Sequence, residues 1–210
     1  MATSRLIIEN LACGRGEKAL FTGLDAVLNR GMAARVLGDN GIGKTTLLRT
    51  VAGLHRPIDG RVRWQGVATG DEPAPLREDL CFIGHENGLN GALTPVENLD
   101  VLMRLAGRRV STDTIRRTLA ELGLKRLAHR PCERLSAGQR RRVSLTRLWL
   151  TQAPLWLLDE PASALDADAR TTLCERMADH VQAGGILLFT THEALALPGV
   201  DVAAIELGSC

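Results

Sequence analysis

At 210 residues and a net charge of +2, the chain has the length of one domain and too little charge to point to nucleic acid. A hydrophobic fraction of 45% can fill a sizeable core, yet the longest apolar runs are about half a dozen residues, where a membrane span needs about 20. Met1 to Asn10 shows no charged-then-apolar export signal. Cys13, Cys81, Cys132, Cys174 and Cys210 are odd in number and lack C-x-x-C spacing, so reduced thiols are expected rather than disulfides or a zinc site.

Ser4 to Glu9 reads as a strand. Leu24 to Leu28 and Ala33 to Leu37 flank Asn29-Arg30-Gly31, the signal of a hairpin. The second arm runs into a glycine-rich loop and then a helix from Thr45 to Ala52. Asp59-Gly60 turns the chain into a strand over Arg61 to Gln65, which extends an N-terminal antiparallel sheet. Ala68 to Glu78, rich in proline and acids, reads as a loop, and Leu80 to Gly84 as a short buried strand. Pro95 to Ala106 carries Val96, Leu99, Leu102, Met103 and Leu105 at helical spacing behind Thr94 as cap. Ser111 to Leu122 places Ile115, Leu119 and Leu122 on one helix face. Then follow a helix at Arg140 to Leu150, a strand at Leu155 to Leu158, a helix at Ala167 to Gln182 and a strand at Ile186 to Thr190. Near-continuous apolar strands alternating with helices mean a parallel sheet buried on both faces. The expected fold class is α/β. A core from residues 1–86 and 135–210 holds the parallel sheet and an N-terminal antiparallel subdomain, and a helical subdomain over 87–134 is inserted in it.

The glycine-rich loop is Gly38-Asp39-Asn40-Gly41-Ile42-Gly43-Lys44-Thr45, the G-x-x-x-x-G-K-[ST] pattern of a phosphate-binding loop. Its glycines let backbone N–H groups converge on an anion. Lys44 reaches phosphate oxygens, the Thr45 hydroxyl ligates Mg²⁺, and Thr46 follows in the helix whose positive end faces the same anion. Only Lys18, Lys44 and Lys125 among 26 basic residues are lysine, and one stands where a compact charge suits phosphate.

Other stretches carry related chemistry. Leu155 to Leu158 ends in Asp159 and Glu160, at the carboxyl end of a strand where open α/β sheets bind ligands. Asp159 suits Mg²⁺ and Glu160 a general base for water. His192 follows another strand end. His55, His85, His129 and His180 lack such a setting. Ser136 and Gln139 form a capping box within Leu135-Ser136-Ala137-Gly138-Gln139, and Gly138 leaves the helix start open to an anion. Arg140, Arg141 and Arg142 crowd a helix end where cations are disfavoured, so a nearby anion or acidic partner is expected, with a solvated basic face as the alternative.

In this order, the Gly38 loop, the Leu135 pentapeptide, Asp159-Glu160, Ser163-Ala164-Leu165-Asp166 and His192 resemble the nucleotide-binding subunits of ATP-binding-cassette (ABC) transporters over essentially the whole chain. The resemblance implies ATP and Mg²⁺ as cofactors. It also implies a head-to-tail homodimer in which ATP lies between the Gly38 loop of one copy and Ser136, Gly138 and Gln139 of the other. Catalysis falls to Glu160, His192 and Lys44, and metal binding to Thr45 and Asp159. Ile83-Gly84-His85, Leu93 to Leu99, Arg147 to Thr151 and Gly184-Gly185-Ile186 are similar to the ATPase subunits of cytochrome c maturation, often described as haem exporters. An ATPase of another ABC exporter or importer is the alternative. Two departures stand out. Glu86 occupies the place of a metal-contacting Gln, and Arg15 falls near the place of an adenine-stacking aromatic. The resemblance implies separate integral membrane subunits as partners, no nucleic acid, and a peripheral position on the cytoplasmic face of the inner membrane. The docking surface expected is Glu86 to Leu99, with Leu89 and Leu93 exposed. A GTPase switch would need an N-K-x-D motif, which is absent, and a DNA-associated ABC ATPase a long heptad run, also absent.

Overall fold

The computed structural model describes residues 5–15, 18–71 and 73–208; Ser4 and Cys210 lie outside them. In chain order the strands are β1 (Arg5–Arg15), β2 (Lys18–Asn29), β3 (Ala33–Leu37), β4 (Asp59–Trp64), β5 (Val67–Ala68), β6 (Leu80–Ile83), β7 (Leu155–Asp159), β8 (Ile186–Thr190) and β9 (Val202–Glu206). The helices are α1 (Lys44–Val51), α2 (Ala74–Asp79), α3 (Pro95–Leu105), α4 (Thr112–Glu121), α5 (Ala137–Leu145), α6 (Arg147–Leu150) and α7 (Ala167–Gln182). The strands divide into an antiparallel sheet, β2-β1-β4-β5, and a parallel sheet, β6-β7-β8-β3-β9.

Side-chain alternation along the parallel strands builds two cores. Leu155 and Leu157 of β7, with Ile186 and Leu188 of β8, face α1, and Trp156, Leu158, Leu187 and Phe189 face the other way. On the first side, Leu47, Leu48 and Val51 of α1 also touch Leu6, Ile8, Phe21, Val62 and Trp64 of the antiparallel sheet. The helix behind the glycine-rich loop is thus gripped by both sheets, which fixes where its first turn points. On the second side, Leu173, Cys174, Met177, Ala178 and Val181 form the inner stripe of α7. There His180 stacks on Trp156 with ring centroids 3.8 Å apart, while a ring nitrogen lies 3.2 Å from the Ile186 carbonyl. Burial pushes His180 down to about 4, the Arg176 charge acting in the same direction and the Ile186 contact opposing it. A third cluster joins Val96 and Leu99 of α3, Ile115 and Leu119 of α4, and Leu135 and Val143 around α5.

Several expectations are corrected. Asn29-Arg30-Gly31 does turn, with Met32 N–H donating to Asn29 O at 3.1 Å. It closes no hairpin, because β2 pairs with β1 and β3 pairs with β8 and β9. The turn carries the chain from one sheet to the other. The stretch expected as a loop at Ala68–Glu78 contains α2, which Pro73 and Pro75 start rather than prevent, since proline is tolerated in a first turn. The helix expected over Arg140–Leu150 begins earlier and breaks at Thr146, whose hydroxyl bonds back to Arg142 O at 3.0 Å. β9 has no counterpart in the sequence reading; of its residues Ile205 alone is buried. Leu89 and Leu93 are half-buried, and Leu89 packs on the helical cluster. The exposed apolar side chains nearby are Val101 and Leu105, at 44% and 79% exposure.

Candidate active site

The Gly38 loop closes the carboxyl end of β3 and feeds α1, whose first turn is capped by Gly43. No side chain caps it, and Gly43 has φ 112°, a left-handed value that glycine adopts without strain. The first N–H groups of α1 therefore have no side-chain acceptor from their cap. Lys44 is buried and donates from Nζ to the carbonyls of Gly38 at 2.7 Å and Asp39 at 3.1 Å. Its own loop holds the ammonium above the helix start.

Beside it opens a cleft of about 450 Å³, within the usual size range of ligand sites. Asn40, Gly41, Gly43, Lys44, Thr45 and Thr46 line one side, and Asp159, Glu160, Ser163 and His192 another, with Leu20 and His85 completing the wall. Hydrogen bonds join the two sides. Thr45 donates from Oγ1 to Asp159 Oδ2 at 2.9 Å, and Thr190 donates from Oγ1 to Asp159 Oδ1 at 2.7 Å. The Thr190 hydroxyl in turn accepts from Glu160 N–H at 2.9 Å. His192 N–H donates to Glu160 Oε2 at 3.2 Å, and its Nε2 lies 3.3 Å from Glu160 Oε1. Asp159 is buried, and two hydroxyl donors offset the cost of desolvating its carboxylate. Glu160 has φ 49°, a conformation uncommon for a residue with a Cβ.

Not every expected residue lies in this cleft. Gly38, Asp39 and Ile42 shape the loop without lining it. Glu86 is exposed and absent from the lining, where its neighbour His85 stands instead. Arg15 ends β1, and its side chain lies outside the described residues. Thr190 and His85 were missed. Thr190 sits two residues before His192 on a strand end, a signal that could have found it. His85 follows β6 in the same way.

Ser136, Gly138 and Gln139 are also outside the cleft wall. They form the head of α5. Ser136 Oγ accepts from Gln139 N–H at 3.2 Å and Gln139 Oε1 accepts from Ser136 N–H at 3.0 Å, a closed capping box. A methyl at Gly138 would fall 2.6 Å from the Ala164 carbonyl, so close packing against the 163–166 loop already requires glycine there. The three arginines that follow have carbonyl partners, and Arg141 also has the acidic neighbours Asp159 and Glu160, which answers the expectation of an acidic partner there. Arg140 bonds Leu135 O and Arg142 bonds Leu122 O, both at 2.7 Å. Arg141, at 3% exposure, reaches the backbone behind Asp159 and Glu160. Burial pushes its guanidinium down to about 10, with Asp159 and Glu160 pulling the other way, so it stays charged at neutral pH.

Comparison with known proteins follows the same lines. The ABC transporter family matches residues 21–163. Over 189 residues the chain is 42% identical to the cytochrome c biogenesis ATP-binding export protein CcmA of Haemophilus influenzae, an overlap of 90% of this chain and 89% of the relative. It is 43% identical over 197 residues to the protein of that name from Escherichia coli K12, covering 94% and 93%. Among solved structures, the ATP-binding subunit of an ABC transporter superposes with a TM-score of 0.83 at 27% identity, over 97% of this chain and 89% of that one.

Proposed function

The chain belongs to the ABC transporter family as an ATP-binding subunit, and from that premise we propose that it hydrolyses ATP to drive haem export for cytochrome c biogenesis through a separate membrane partner. The observation that carries the chemistry is the bonded series Thr45–Asp159–Thr190–Glu160–His192 across one cleft. The cargo rests on the names of relatives that match nearly the whole chain.

In this reading Lys44 and the N–H groups of Gly41 to Thr46 hold the triphosphate. A hydroxyl and a carboxylate, Thr45 and Asp159, form a hard-oxygen pair 2.9 Å apart, and Mg²⁺ is commonly held by such a pair together with substrate phosphates. Among the described residues no larger cluster of acids, histidines and cysteines competes for a metal. When bound, the ion neutralises charge building on the phosphates. Glu160, aimed by His192 and Thr190, takes a proton from water as its oxygen bonds the γ-phosphorus. The bond to the β-phosphate oxygen breaks, and ADP and phosphate leave. His85 lines the cleft wall, with Glu86 next to it in sequence as a proposed metal contact. Arg15 is proposed to stack on the base.

Ser136, Gly138 and Gln139 take their role from a second copy. The head of α5 is exposed at Ser136 and stands outside its own copy's cleft, which leaves it free to cover the triphosphate of a partner. No helix among the described residues is long and apolar enough to cross a membrane, and peripheral docking at the cytoplasmic face is the arrangement proposed. Asn98 organises the docking stretch: it accepts from Asn90 N–H at 2.8 Å and donates to the carbonyls of Asn90, Leu93 and Thr94.

Glu160→Gln tests the proposal. Turnover should fall by about 10²–10⁴, the contribution typical of a general base, while ATP binding persists and an ATP-dependent dimer accumulates. Unchanged turnover, or a monomer at saturating ATP, would refute the hydrolytic scheme. Cells carrying the variant should fail to mature c-type cytochromes; normal cytochrome content would point to another cargo.

A further inference from the structure

Arg141 makes more contacts with the catalytic end of the sheet than any packing role on α5 requires. Its Nη2 donates to Asp159 O and Glu160 O, each at 2.8 Å, and its Nε donates to Pro161 O at 3.2 Å. Its Nη1 donates to Gly84 O at 2.8 Å and lies 3.5 Å from Asn87 Oδ1. Ser144, one turn along the same helix, donates to Asn87 O at 2.8 Å. One guanidinium thus joins the helix headed by Ser136, the strand end bearing Asp159 and Glu160, and the turn bearing His85. The carbonyls lie in several directions, and a planar fork of five donors can satisfy them where a lysine ammonium cannot.

The need for such a joint comes from Glu160. Its left-handed φ is disfavoured for a residue with a Cβ, and Pro161, next in sequence, closes off the helical region as an escape. Relaxed to extended backbone, Glu160 would carry its carboxylate out of its present line with His192. The backbone is held from both ends: Thr190 grips the N–H and Arg141 the carbonyl.

We propose that Arg141 is a positioning residue for hydrolysis, fixing the Glu160 backbone, and with it the direction of the carboxylate, without touching nucleotide or water. The proposal rests on Glu160 being the base. It does not depend on the cargo or on dimer geometry.

The test is a double-mutant cycle on the full chain, read by single-turnover hydrolysis of radiolabelled ATP and by titration with a fluorescent ATP analogue. Arg141→Met should lower the hydrolysis rate by roughly 10- to 100-fold with nucleotide affinity within about threefold, since no phosphate contact is removed. Arg141→Lys should recover part of the loss. In a Glu160→Gln background, where there is no base left to aim, adding Arg141→Met should change the residual rate by less than about twofold. An equal fall in both backgrounds would mean that Arg141 acts on stability or elsewhere, and would overturn the proposal, as would an unchanged rate in Arg141→Met alone. Should the Met variant fail to fold, Arg141→Lys run through the same cycle decides by the same criterion. Failure of the hydrolytic reading itself would show differently, as wild-type turnover in Glu160→Gln.

Discussion

Two helices in this molecule begin with an anion-ready sequence, and they begin differently. At α1 the cap is Gly43, no side chain accepts from the first turn, and the helix start opens into the cleft. At α5 the cap is Ser136, its hydroxyl is already taken by Gln139 N–H, and the capping box closes on itself. A helix dipole and small residues are common to both; what separates them is whether the first turn already has its partners. On this footing α1 can hold a triphosphate in a single copy, whereas α5 must open or share its box to reach the nucleotide of another.

That contrast can be broken or sharpened by experiment. The largest effect concerns the sheet beneath both helices. His180 is held neutral against Trp156, well below its unfolded value of 6.5. Between pH 6.5 and about 4 the unfolded chain binds a proton that the folded chain refuses, so stability falls as pH falls, by about 3 kcal/mol in all. Urea midpoints at pH 7.5 and pH 5 should show the loss, and His180→Phe, which keeps a ring on Trp156, should flatten it. An equal slope in that variant would assign the acid sensitivity elsewhere.

Next in size is the binding contrast itself. Lys44→Ala should weaken a fluorescent ATP analogue by roughly 10- to 100-fold, the worth of a charge-assisted contact of about 1.5–3 kcal/mol. Ser136→Ala, measured on dilute subunit, should leave binding within about twofold; a loss matching that of Lys44→Ala would erase the distinction. Gly138→Ala then asks how tightly α5 is seated. Its methyl meets the Ala164 carbonyl, and overpacking of this kind typically costs about 1–3 kcal/mol, visible as a lower urea midpoint. The smallest effect expected is on the capping box. Ser136→Ala should cost about 1 kcal/mol of stability, and a neutral result would mean the box is not closed in solution.

The same helices show what a sequence displays and what it hides. The strand over Ile186–Thr190 and the helix over Ala167–Gln182 were legible to the residue because their periodicities are uninterrupted. So was the cap of α3, where Thr94 and Glu97 declare the box locally. Pairing partners were not legible. Asn29-Arg30-Gly31 announces a turn, but nothing in those residues says that the next strand joins another sheet. β9 was hidden by Ala203 and Ala204, both exposed, at positions where a buried strand would show large apolar residues. The loop, Asp159, Glu160 and His192 could be named from their order and strand-end positions. The arginines on α5 announced a partner without saying which, because the carbonyl acceptors that Arg141 and Arg142 find on distant segments carry no mark in the sequence. His85 carries the same strand-end mark as His192, but only the placement of β6 beside β7 shows that it reaches the cleft.

The place of β3 has a consequence for biosynthesis. It leads into the phosphate loop, yet its two sheet neighbours are β8 and β9, from the far side of the sequence. On a ribosome the loop would be translated early and then wait with both strand edges bare until residues 186–206 emerged. A phosphate loop seated on a fully paired strand would therefore be among the last features the nascent chain acquires.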